Sequence, residues 1–442
     1  MIPMQVCYEA FGTQHGILQE DPLSNYLDEA SVYNTRAYPT YFSTINREDE
    51  FEPILRNLIN YQTEISALQQ LDQVGSPATS VTVVNVDDYG AKGDGTDDTE
   101  AIKKAWDAAC SSSPAVLVVP QNKNYLLKPI TFSGPCKSDL TMLIYGTIEA
   151  SDDRADYRDL RYWLVFENIQ NLIVEGGGTI NGNGNIWWQN SCKVNKTLAI
   201  TFLECKNLRV RNLKIEDSQQ IHVSFQKCIN VHAFNLMITA PGNSPNTDGI
   251  HVTATQNILI RNCVIKTGDD CISIVSGSSM IQAINITCGP GHGISIGSLG
   301  AGNQEAHVSD VIVDGARLSG TANGIRIKTW QGGSGSANNF IFRNVAMYNV
   351  TNPIIIDQNY CDQDEPCKEQ DSAVQVETVT YKNIQGTSAS EVAMKFNCSK
   401  AFPCNGILLQ DINLVREGEG TAIALCENVK WTQIGRVSPL CP

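Results

Sequence analysis

The sequence feature that most constrains the fold is a short motif that repeats along the chain. It consists of an asparagine, a short and mostly apolar run, and a second asparagine, and it occurs at residues 207–212, 230–235, 257–262 and 339–344. The first three copies follow one another at intervals of between twenty and thirty positions. Periods of roughly 20–50 residues are typical of stacked repeat architectures. The motif therefore predicts a solenoid in which each repeat contributes one coil.

Related short runs of branched aliphatic residues lie between and beyond these motifs, at residues 284–286, 311–313, 379–381 and 407–409. Each is bounded by Gly, Asn or Asp, which indicates a short strand between turns, and helical periodicity is absent here. A β-sandwich also has short strands, but it would not explain the same asparagine at the same offset. We therefore predict an all-β, right-handed parallel β-helix, whose coils pair about 4.8 Å apart.

Residues 1–80 differ from the rest of the chain. Apolar residues recur at helical spacing over residues 46–71, and a linker-like Gly-Ser-Pro-Ala-Thr-Ser stretch follows at 75–80. We predict an N-terminal extension at 1–80, partly helical or disordered and removable as a propeptide, with a small helical appendage packed on the solenoid as the alternative. The main domain then spans residues 81–442 and opens with a strand at 81–86.

A stretch rich in acids and glycines, residues 88–98, follows this strand. It lacks the spacing and the distal Glu of an EF-hand calcium loop. Asp97 and Asp98 instead precede the amphipathic pattern of residues 99–109, which predicts a turn that ends at a helix N-cap. Because the first coil of a stacked sheet has an open edge, we expect this short helix to cap the N-terminal end of the solenoid.

Charge and hydropathy exclude two classes of partner. The net charge of −15 argues against nucleic-acid binding, which would need a basic face. No run of 18 or more apolar residues exists, so we expect no membrane-spanning segment. The first ten residues lack the basic start and apolar stretch of a secretory signal, so either a signal has already been removed or export uses another route.

The chain contains 15 cysteines, many for a cytosolic enzyme. Several lie close together in the sequence near loops: Cys271 and Cys288, Cys361 and Cys367, Cys398 and Cys404, and Cys426 and Cys441. Local disulfides are expected, although spacing does not fix their connectivity, and no CxxC pair with a partner His supports a metal site. Sequons at Asn195, Asn285, Asn349 and Asn397 also indicate secretion, so we expect a secreted, extracellular protein.

Four short polar islands lie between residues 246 and 328: Asn-Thr-Asp-Gly at 246–249, Gly-Asp-Asp at 268–270, Gly-His-Gly at 291–293 and Arg-Ile-Lys at 326–328. Asp248, Asp269 and His292 follow one another at nearly equal intervals, each a little over twenty positions. If one coil has about this length, each step returns the chain to the same face one layer on. The spacing therefore predicts that three carboxylates, an imidazole and two cations converge on one patch.

The opening stretch at residues 88–95, the four islands in order and the coil repeat together resemble the plant-type polygalacturonases, glycoside hydrolase family 28, over roughly residues 82–442. One island alone would be a weak match, but all four at these spacings are specific. The resemblance implies a right-handed parallel β-helix that hydrolyses α-1,4 bonds between galacturonates in pectin (homogalacturonan) with inversion. It implies no cofactor and no metal.

The chemistry of inversion agrees with the three aspartates. One carboxylic acid must protonate the leaving oxygen while a carboxylate about 6.5–9.5 Å away activates water. Crowding of Asp248, Asp269 and Asp270 disfavours full ionisation, so one of them keeps a proton. By the resemblance, Asp269 is the general acid, and Asp248 and Asp270 position and deprotonate the water. A lone histidine is usually structural, but the glycines around His292 favour a place in the site, where it can tune the acid.

The remaining islands predict substrate contacts. Arg326 and Lys328 alternate by two, so they share one face of a strand and can hold a uronate carboxylate by a guanidinium fork and a point charge. By the resemblance, Tyr360 is a substrate-binding tyrosine, although it can also merely shield the following cysteine. Asn246 frames the first aspartate. His251 is expected outside the site, because alternation from Asp248 turns it to the opposite face.

Several rivals remain open at this stage. A pectate lyase shares the solenoid but needs calcium and an arginine base, and it is disfavoured because nothing here resembles its ligand set and the paired acids suit hydrolysis. Related hydrolases act on xylogalacturonan or rhamnogalacturonan, and a non-catalytic wall-associated β-helix is the non-enzymatic alternative. We favour endo over exo action and a monomer. The expected partners are pectin and, by the resemblance, proteinaceous polygalacturonase inhibitors, with no nucleic acid and no membrane.

Overall fold

The computed structural model describes residues 81–137, 139–157, 161–189, 198–362, 367–368, 370–418 and 420–442. The predicted extension at residues 1–80 and the sequon at Asn195 lie outside the described residues, so both stay predictions.

The described residues form 31 strands. In chain order they are β1 Thr82–Asn85, β2 Asp94–Asp97, β3 Ala115–Val119, β4 Asn124–Leu127, β5 Ile130–Ser133, β6 Leu140–Ile144, β7 Thr147–Ala150, β8 Tyr162–Glu167, β9 Leu172–Glu175, β10 Thr179–Asn181, β11 Leu198–Leu203, β12 Lys206–Glu216, β13 Val223–Gln226, β14 Ile229–Thr239, β15 Ile250–Thr253, β16 Gln256–Arg261, β17 Val264–Lys266, β18 Ile272–Ile274, β19 Ser278–Ile284, β20 Thr287–Cys288, β21 Ile294–Leu299, β22 Glu305–Asp314, β23 Arg317–Ser319, β24 Asn323–Trp330, β25 Ser334–Val350, β26 Asn352–Tyr360, β27 Gln375–Ser388, β28 Val392–Asn397, β29 Cys404–Arg416, β30 Ile423–Glu427 and β31 Val429–Ser438. The helices are α1 Thr99–Cys110 and α2 Asn185–Trp188, with 3-10 turns at Val86–Tyr89, Arg154–Tyr157 and Ala301–Asn303.

These strands build a parallel β-helix, as predicted. Eleven of them, β5, β8, β11, β13, β15, β18, β21, β24, β26, β28 and β30, form one sheet, called here the site sheet, and the other twenty form a second sheet. Val231 pairs with Leu208 on the preceding coil and with Ile258 on the next, always in parallel. These partners have the same spacing along the chain as the first three copies of the repeated motif.

The repeated asparagines form side-chain ladders between coils. The side-chain amide of Asn230 donates to Asn207 at 3.0 Å, and that of Asn257 donates to Asn230 at 2.8 Å. Each has a positive φ of 54° to 58°, a left-handed conformation that Asn tolerates better than most residues. The predicted strand at residues 284–286 is only partly present. Ile284 ends β19, and the chain then bends before β20, because Asn285 takes this conformation too, with φ of 53°.

The core of the solenoid is filled by stacked side chains. Phe132, Phe166, Phe202 and Phe225 occupy successive coils with ring centroids 4.9–5.4 Å apart. Helix α1 caps this stack at the N-terminal end as predicted, because its buried Trp106 lies 4.9 Å from the Phe132 ring.

The helix start differs in detail from the prediction. The carboxylate of Asp97 accepts the N–H of Thr99 at 3.0 Å. Asp98, which occupies the N-cap position, instead accepts the N–H groups of Lys92 and Gly93 at 2.8 and 3.0 Å. Asp98 therefore holds the glycine-rich turn rather than the helix.

Within the described residues, five disulfides tie the coils and loops. Four join the cysteines that lie close together in the sequence, as Cys271–Cys288, Cys361–Cys367, Cys398–Cys404 and Cys426–Cys441, which settles the connectivity that spacing left open. The fifth, Cys110–Cys136, joins the end of α1 to the loop after β5 and was not predicted. Cys205, Cys228 and Cys263 are buried free thiols. Among the described residues, none of the helices has the length and apolar character needed to span a membrane.

Candidate active site

The register of the site sheet brings the four islands together. Ile250, Ile272 and Ile294 pair in sequence across β15, β18 and β21, and their buried side chains point into the core. Two positions before each lies a predicted site residue, Asp248, Asp270 and His292 respectively. These residues therefore precede equivalent strands on three successive coils. Arg326 follows on β24, in register with Ser295 of β21.

Asp269 and His292 form a hydrogen-bonded pair. The imidazole Nδ1 lies 2.9 Å from Asp269 Oδ1, which also accepts the N–H of Asp270 at 2.7 Å. The Asn246 amide donates to Asp269 Oδ2 at 3.4 Å. Burial raises the pKa of Asp269, but the hydrogen bond and charge of His292, the charge of Lys328 and the Asp270 N–H outweigh it and hold that pKa below its usual value.

The same contact acts on the imidazole. The hydrogen bond to Asp269 raises the pKa of His292 above its ordinary value, although burial opposes the change. In the free site the proton of this pair therefore resides on His292, and Asp269 is ionised. Crowding alone therefore does not leave a proton on Asp269 in the free site. A further event, such as ligand binding, is needed to move the proton there.

Asp270 is a buried carboxylate, 2 % exposed, with both oxygens occupied. Oδ1 accepts hydrogen bonds from Arg326 Nη2 at 2.8 Å and from the Ser295 hydroxyl at 2.7 Å. Oδ2 accepts one from Lys328 Nζ at 3.0 Å. The two cations, whose side chains are 13 % and 11 % exposed, are therefore paired with this aspartate within the protein itself. Their predicted contact with a uronate stays a prediction.

Asp248 has a different environment. Its Oδ2 accepts a hydrogen bond from the Ser273 hydroxyl at 2.7 Å and lies 3.8 Å from Nδ1 of His251. Burial raises the pKa of Asp248, the negative charge of Asp269 adds to the effect, and the His251 contact opposes it.

The expectation that His251 lies outside the site was wrong. Strict alternation holds only within an extended strand, and β15 begins at Ile250, after Asp248 and Gly249. His251 therefore points outward from β15 while Asp248 reaches the same face from the preceding turn. Ser273 and Ser295, in register with His251 and Arg326, were also missed, because serine carries no signal of its own in a sequence.

Tyr360 lies at the edge of this cluster, at the end of β26. Its ring is 5.4 Å from Lys328 Nζ and packs edge-on against Trp330 with centroids 5.3 Å apart. Burial raises the pKa of Tyr360 to about 12, so the phenol is neutral at physiological pH. Its role in substrate binding stays a prediction, and Trp330 extends the aromatic surface beside it.

Glycines in the islands let neighbouring coils approach. Gly293 has φ of +86°, and a Cβ there would lie 2.0 Å from the carbonyl oxygen of Asn323. A Cβ at Gly268 would lie 1.9 Å from the carbonyl oxygen of Ser244. Because these clashes involve backbone atoms, larger residues would displace His292 and Asp269 from their neighbours.

A metal ion fits this cluster poorly. Asp269, Asp270 and His292 each offer an atom within 4.8 Å of the others, which resembles a ligand set. Asp270, however, already binds both Arg326 and Lys328. A divalent cation there would face a guanidinium and an ammonium at close range, and their repulsion disfavours its binding.

The three carboxylates therefore differ in their charge environment. Asp270 lies between two cations, Asp269 is hydrogen-bonded to an imidazole, and Asp248 is half-buried with one serine contact and one histidine nearby. A site with one proton-donating pair and one carboxylate of raised basicity, on the outer face of a sheet, has the components of acid–base hydrolysis.

Comparison with known proteins identifies the family. Residues 110–438 match the family model "Glycosyl hydrolases family 28". A polygalacturonase of Persea americana is 57% identical over 439 residues, covering 97% of this chain and 94% of that protein. A polygalacturonase of Malus domestica is 59% identical over 428 residues, covering 94% and 91%. The crystal structure of an exopolygalacturonase from Thermotoga maritima superposes with a TM-score of 0.68 over 84% of this chain and 95% of that one, at 21% identity, which supports the fold alone.

The solenoid, the clustered islands and these matches lead to one assignment: the chain belongs to glycosyl hydrolases family 28 and is a glycoside hydrolase.

Proposed function

We propose that this protein is a polygalacturonase that hydrolyses α-1,4 bonds between galacturonates in de-esterified homogalacturonan, with inversion. The observation that carries the proposal is a chain of contacts on one face of the site sheet. The hydrogen-bonded pair of Asp269 and His292 contacts Asp270. Asp270 in turn forms ion pairs with Arg326 and Lys328. The relatives named as polygalacturonases support the substrate.

In this mechanism Asp269 is the general acid and His292 supplies its proton. A bound uronate brings negative charge and excludes water, and both effects raise the pKa of a nearby carboxyl group. The proton then moves from His292 Nδ1 to Asp269 Oδ1 across 2.9 Å, and from Asp269 to the leaving glycosidic oxygen. His292 ends neutral and regains a proton from solvent, so turnover requires a pH below its raised pKa.

The attacking water lies against Asp248 and Asp270 in this proposal. As it attacks the anomeric carbon from the side opposite the leaving group, a carboxylate accepts its proton, which gives inversion in one displacement. Arg326 and Lys328 hold Asp270 in place and put positive charge beside a substrate that carries a carboxylate on every sugar. Their remaining N–H groups, Asn246 and Tyr360 provide the binding contacts.

We further propose endo action and secretion. The site lies at β15 to β24 of the site sheet, with β5, β8, β11 and β13 on one side and β26, β28 and β30 on the other. This central position supports endo action, because strands of the site sheet lie on both sides of the site along the solenoid. The five disulfides of the described residues support an oxidising, extracellular location.

The test is to incubate the protein with de-esterified homogalacturonan while reducing ends, viscosity and the absorbance of unsaturated uronides are followed together. We expect a steep fall in viscosity with few new ends and no unsaturated product. Monomer release at nearly constant viscosity would contradict endo action, and unsaturated products that disappear with EDTA would indicate a lyase. No new ends on this substrate, but new ends on xylogalacturonan, would assign the enzyme to substituted pectin.

A further inference from the structure

Two hydrogen-bonded units of the same design lie one coil apart in the site. In the first, the Ser273 hydroxyl donates to Asp248 at 2.7 Å and contacts His251 Nδ1 at 2.7 Å. In the second, the Ser295 hydroxyl donates to Asp270 at 2.7 Å and accepts from Arg326 Nε at 3.0 Å. Each unit is a carboxylate, a bridging serine and a nitrogen donor.

The register of the strands produces this repetition. His251, Ser273, Ser295 and Arg326 follow one another in a single outward row across β15, β18, β21 and β24. The two carboxylates occupy equivalent positions, two residues before β15 and β18. The nitrogen donors lie on opposite sides of their serines, because His251 is on the coil before Ser273 and Arg326 is on the coil after Ser295.

The two carboxylates differ in the atoms they leave available. Both oxygens of Asp270 bind charged donors, and protonation of either would break a buried ion pair with Arg326 or Lys328. Asp248 uses only Oδ2, for Ser273, and among the described residues its Oδ1 accepts no hydrogen bond. Asp248 is therefore the carboxylate that can hold a water through Oδ1 and accept its proton.

The position of hydrogen atoms in the first unit follows from the chemistry of its members. An ionised carboxylate only accepts, so the Ser273 hydroxyl must donate its single proton to Asp248. That leaves Ser273 Oγ as the acceptor toward His251, whose Nδ1 must therefore carry a hydrogen. The imidazole thus orients the serine hydroxyl, and the hydroxyl orients and stabilises the ionised form of Asp248.

We propose that His251 is a positioning residue of the hydrolysis: acting through Ser273, it keeps Asp248 ionised and oriented as the base that takes the proton of the attacking water. The proposal rests on the function proposed above and deepens it. It also divides the roles of the two carboxylates, because Asp270 then contributes charge and geometry without accepting the proton.

The groups that face Asp248 on neighbouring elements are few. Asp269 and Asp270 approach from the next coil and disfavour its ionised form, whereas the His251 contact favours it. From the preceding coil, the fully buried ring of His222 contacts the backbone oxygen of Asp248 through Nδ1 at 3.0 Å. Burial lowers the pKa of His222 to about 4, so it is neutral and adds no charge at working pH.

The test is the pH profile of kcat on de-esterified homogalacturonan for His251→Ala, His251→Asn, Ser273→Ala and the double variant His251→Ala/Ser273→Ala. Loss of a hydrogen bond that favours ionised Asp248 moves the acidic limb of the profile to higher pH by on the order of one unit, with KM little changed. The amide of His251→Asn places a donor near the position of Nδ1. The acidic limb of this variant should therefore lie close to its wild-type pH. The double variant should shift no further than Ser273→Ala, because His251 acts through that hydroxyl.

His307 is a matched control. It makes the same kind of contact, Nδ1 to the Ser336 hydroxyl at 3.0 Å, but on the second sheet and away from the aspartates. His307→Ala should leave the pH profile unchanged.

Several results would overturn the proposal. One is a folded His251→Ala whose acidic limb matches the wild type, and another is a double variant that shifts by the sum of the two single shifts. A folded His251→Ala that is inactive at every pH would give His251 a direct chemical role instead. If His251→Ala fails to fold, His251→Asn and Ser273→Ala decide the question. In all these cases wild-type hydrolysis persists, whereas a wild type without hydrolysis would refute the proposed function itself.

Discussion

Asp270→Asn is the substitution with the most specific consequence for stability. It removes the negative charge between Arg326 and Lys328 and leaves two cations with 13 % and 11 % exposed side chains without their counter-ion. Removing one partner of a buried ion pair costs about 3–5 kcal/mol. For a domain of roughly 360 residues, whose unfolding entropy is about 2.1 cal/mol/K per residue, this lowers the Tm by about 4–7 °C.

A second substitution separates charge from other effects of the first. Asp270→Asn/Lys328→Met removes one of the two uncompensated cations, so we expect it to recover about half of the lost stability or more. Activity should not return, because Asp270 also holds the Asp269 and water geometry in the proposed mechanism. The assay is thermal unfolding followed by circular dichroism, with reducing-end release measured on the same samples.

Glu204→Gln provides the matched control for this experiment. Glu204 pairs with Lys227 on the next coil at 3.0 Å, but both side chains are exposed, at 52 % and 63 %. Exposed pairs contribute only about 0–1 kcal/mol, so its Tm should change by about 1 °C or less. A Tm for Asp270→Asn as close to wild type as that of Glu204→Gln would refute the claim that Asp270 compensates buried cations, as would a double variant less stable than Asp270→Asn.

Three further predictions concern the neighbouring residues. Asp269→Asn should retain the wild-type Tm within about 1–2 °C and lose nearly all turnover, and substantial remaining hydrolysis would exclude Asp269 as the general acid. Arg326→Ala should raise KM for de-esterified chains much more than for methyl-esterified ones, and equal loss on both would reject a carboxylate contact. His292→Asn tests the pair with Asp269. Because the pKa of His292 is raised on folding, the pair adds stability that is present below about pH 6.5 and is lost as the pH rises through the folded value. Because the pKa of Asp269 is lowered on folding, its contribution is lost as the pH falls below about 3.8. The Tm difference from wild type should therefore be largest between about pH 4 and 6 and should narrow above pH 7, and a difference that grows with pH would contradict the pairing.

The fold was predictable because its main signal is local. Asn207, Asn230 and Asn257 take the left-handed conformation at equivalent corners of successive coils, and such asparagines can be recognised in the sequence. The hydrogen-bonded ladder between their side chains explains why each repeat has an asparagine at the same position. The islands were predictable for the same reason, since Asp248, Asp269 and His292 follow one another at close to one coil.

The finer contacts of the site depend on register, which the sequence does not state. The coils of the site sheet vary in length. Ile250 pairs with Ile272 across a short coil, whereas Ile294 pairs with Ile325 across a markedly longer one. Whether two side chains meet across such coils depends on where each strand begins. Counting alternation from Asp248, which precedes its strand, therefore placed His251 on the wrong face.

The roles of the cations also depended on three-dimensional contacts. Arg326 and Lys328 were predicted to meet a uronate, and their alternation indicated only a common face. Asp270 lies two coils earlier in the chain yet contacts both at 2.8 and 3.0 Å. The Cys110–Cys136 disulfide was missed in the same way, because its cysteines meet only after α1 has folded across the end of the solenoid.

The most direct test of the central claim, acid–base hydrolysis by these carboxylates, is proton NMR of the anomeric region during cleavage of a short oligogalacturonate. Inversion at an α-1,4 bond predicts that the new reducing end appears first as the β anomer and then mutarotates, and that Asp269→Asn forms neither anomer at a measurable rate. First appearance of the α anomer, or an olefinic proton in place of a new reducing end, would contradict the account.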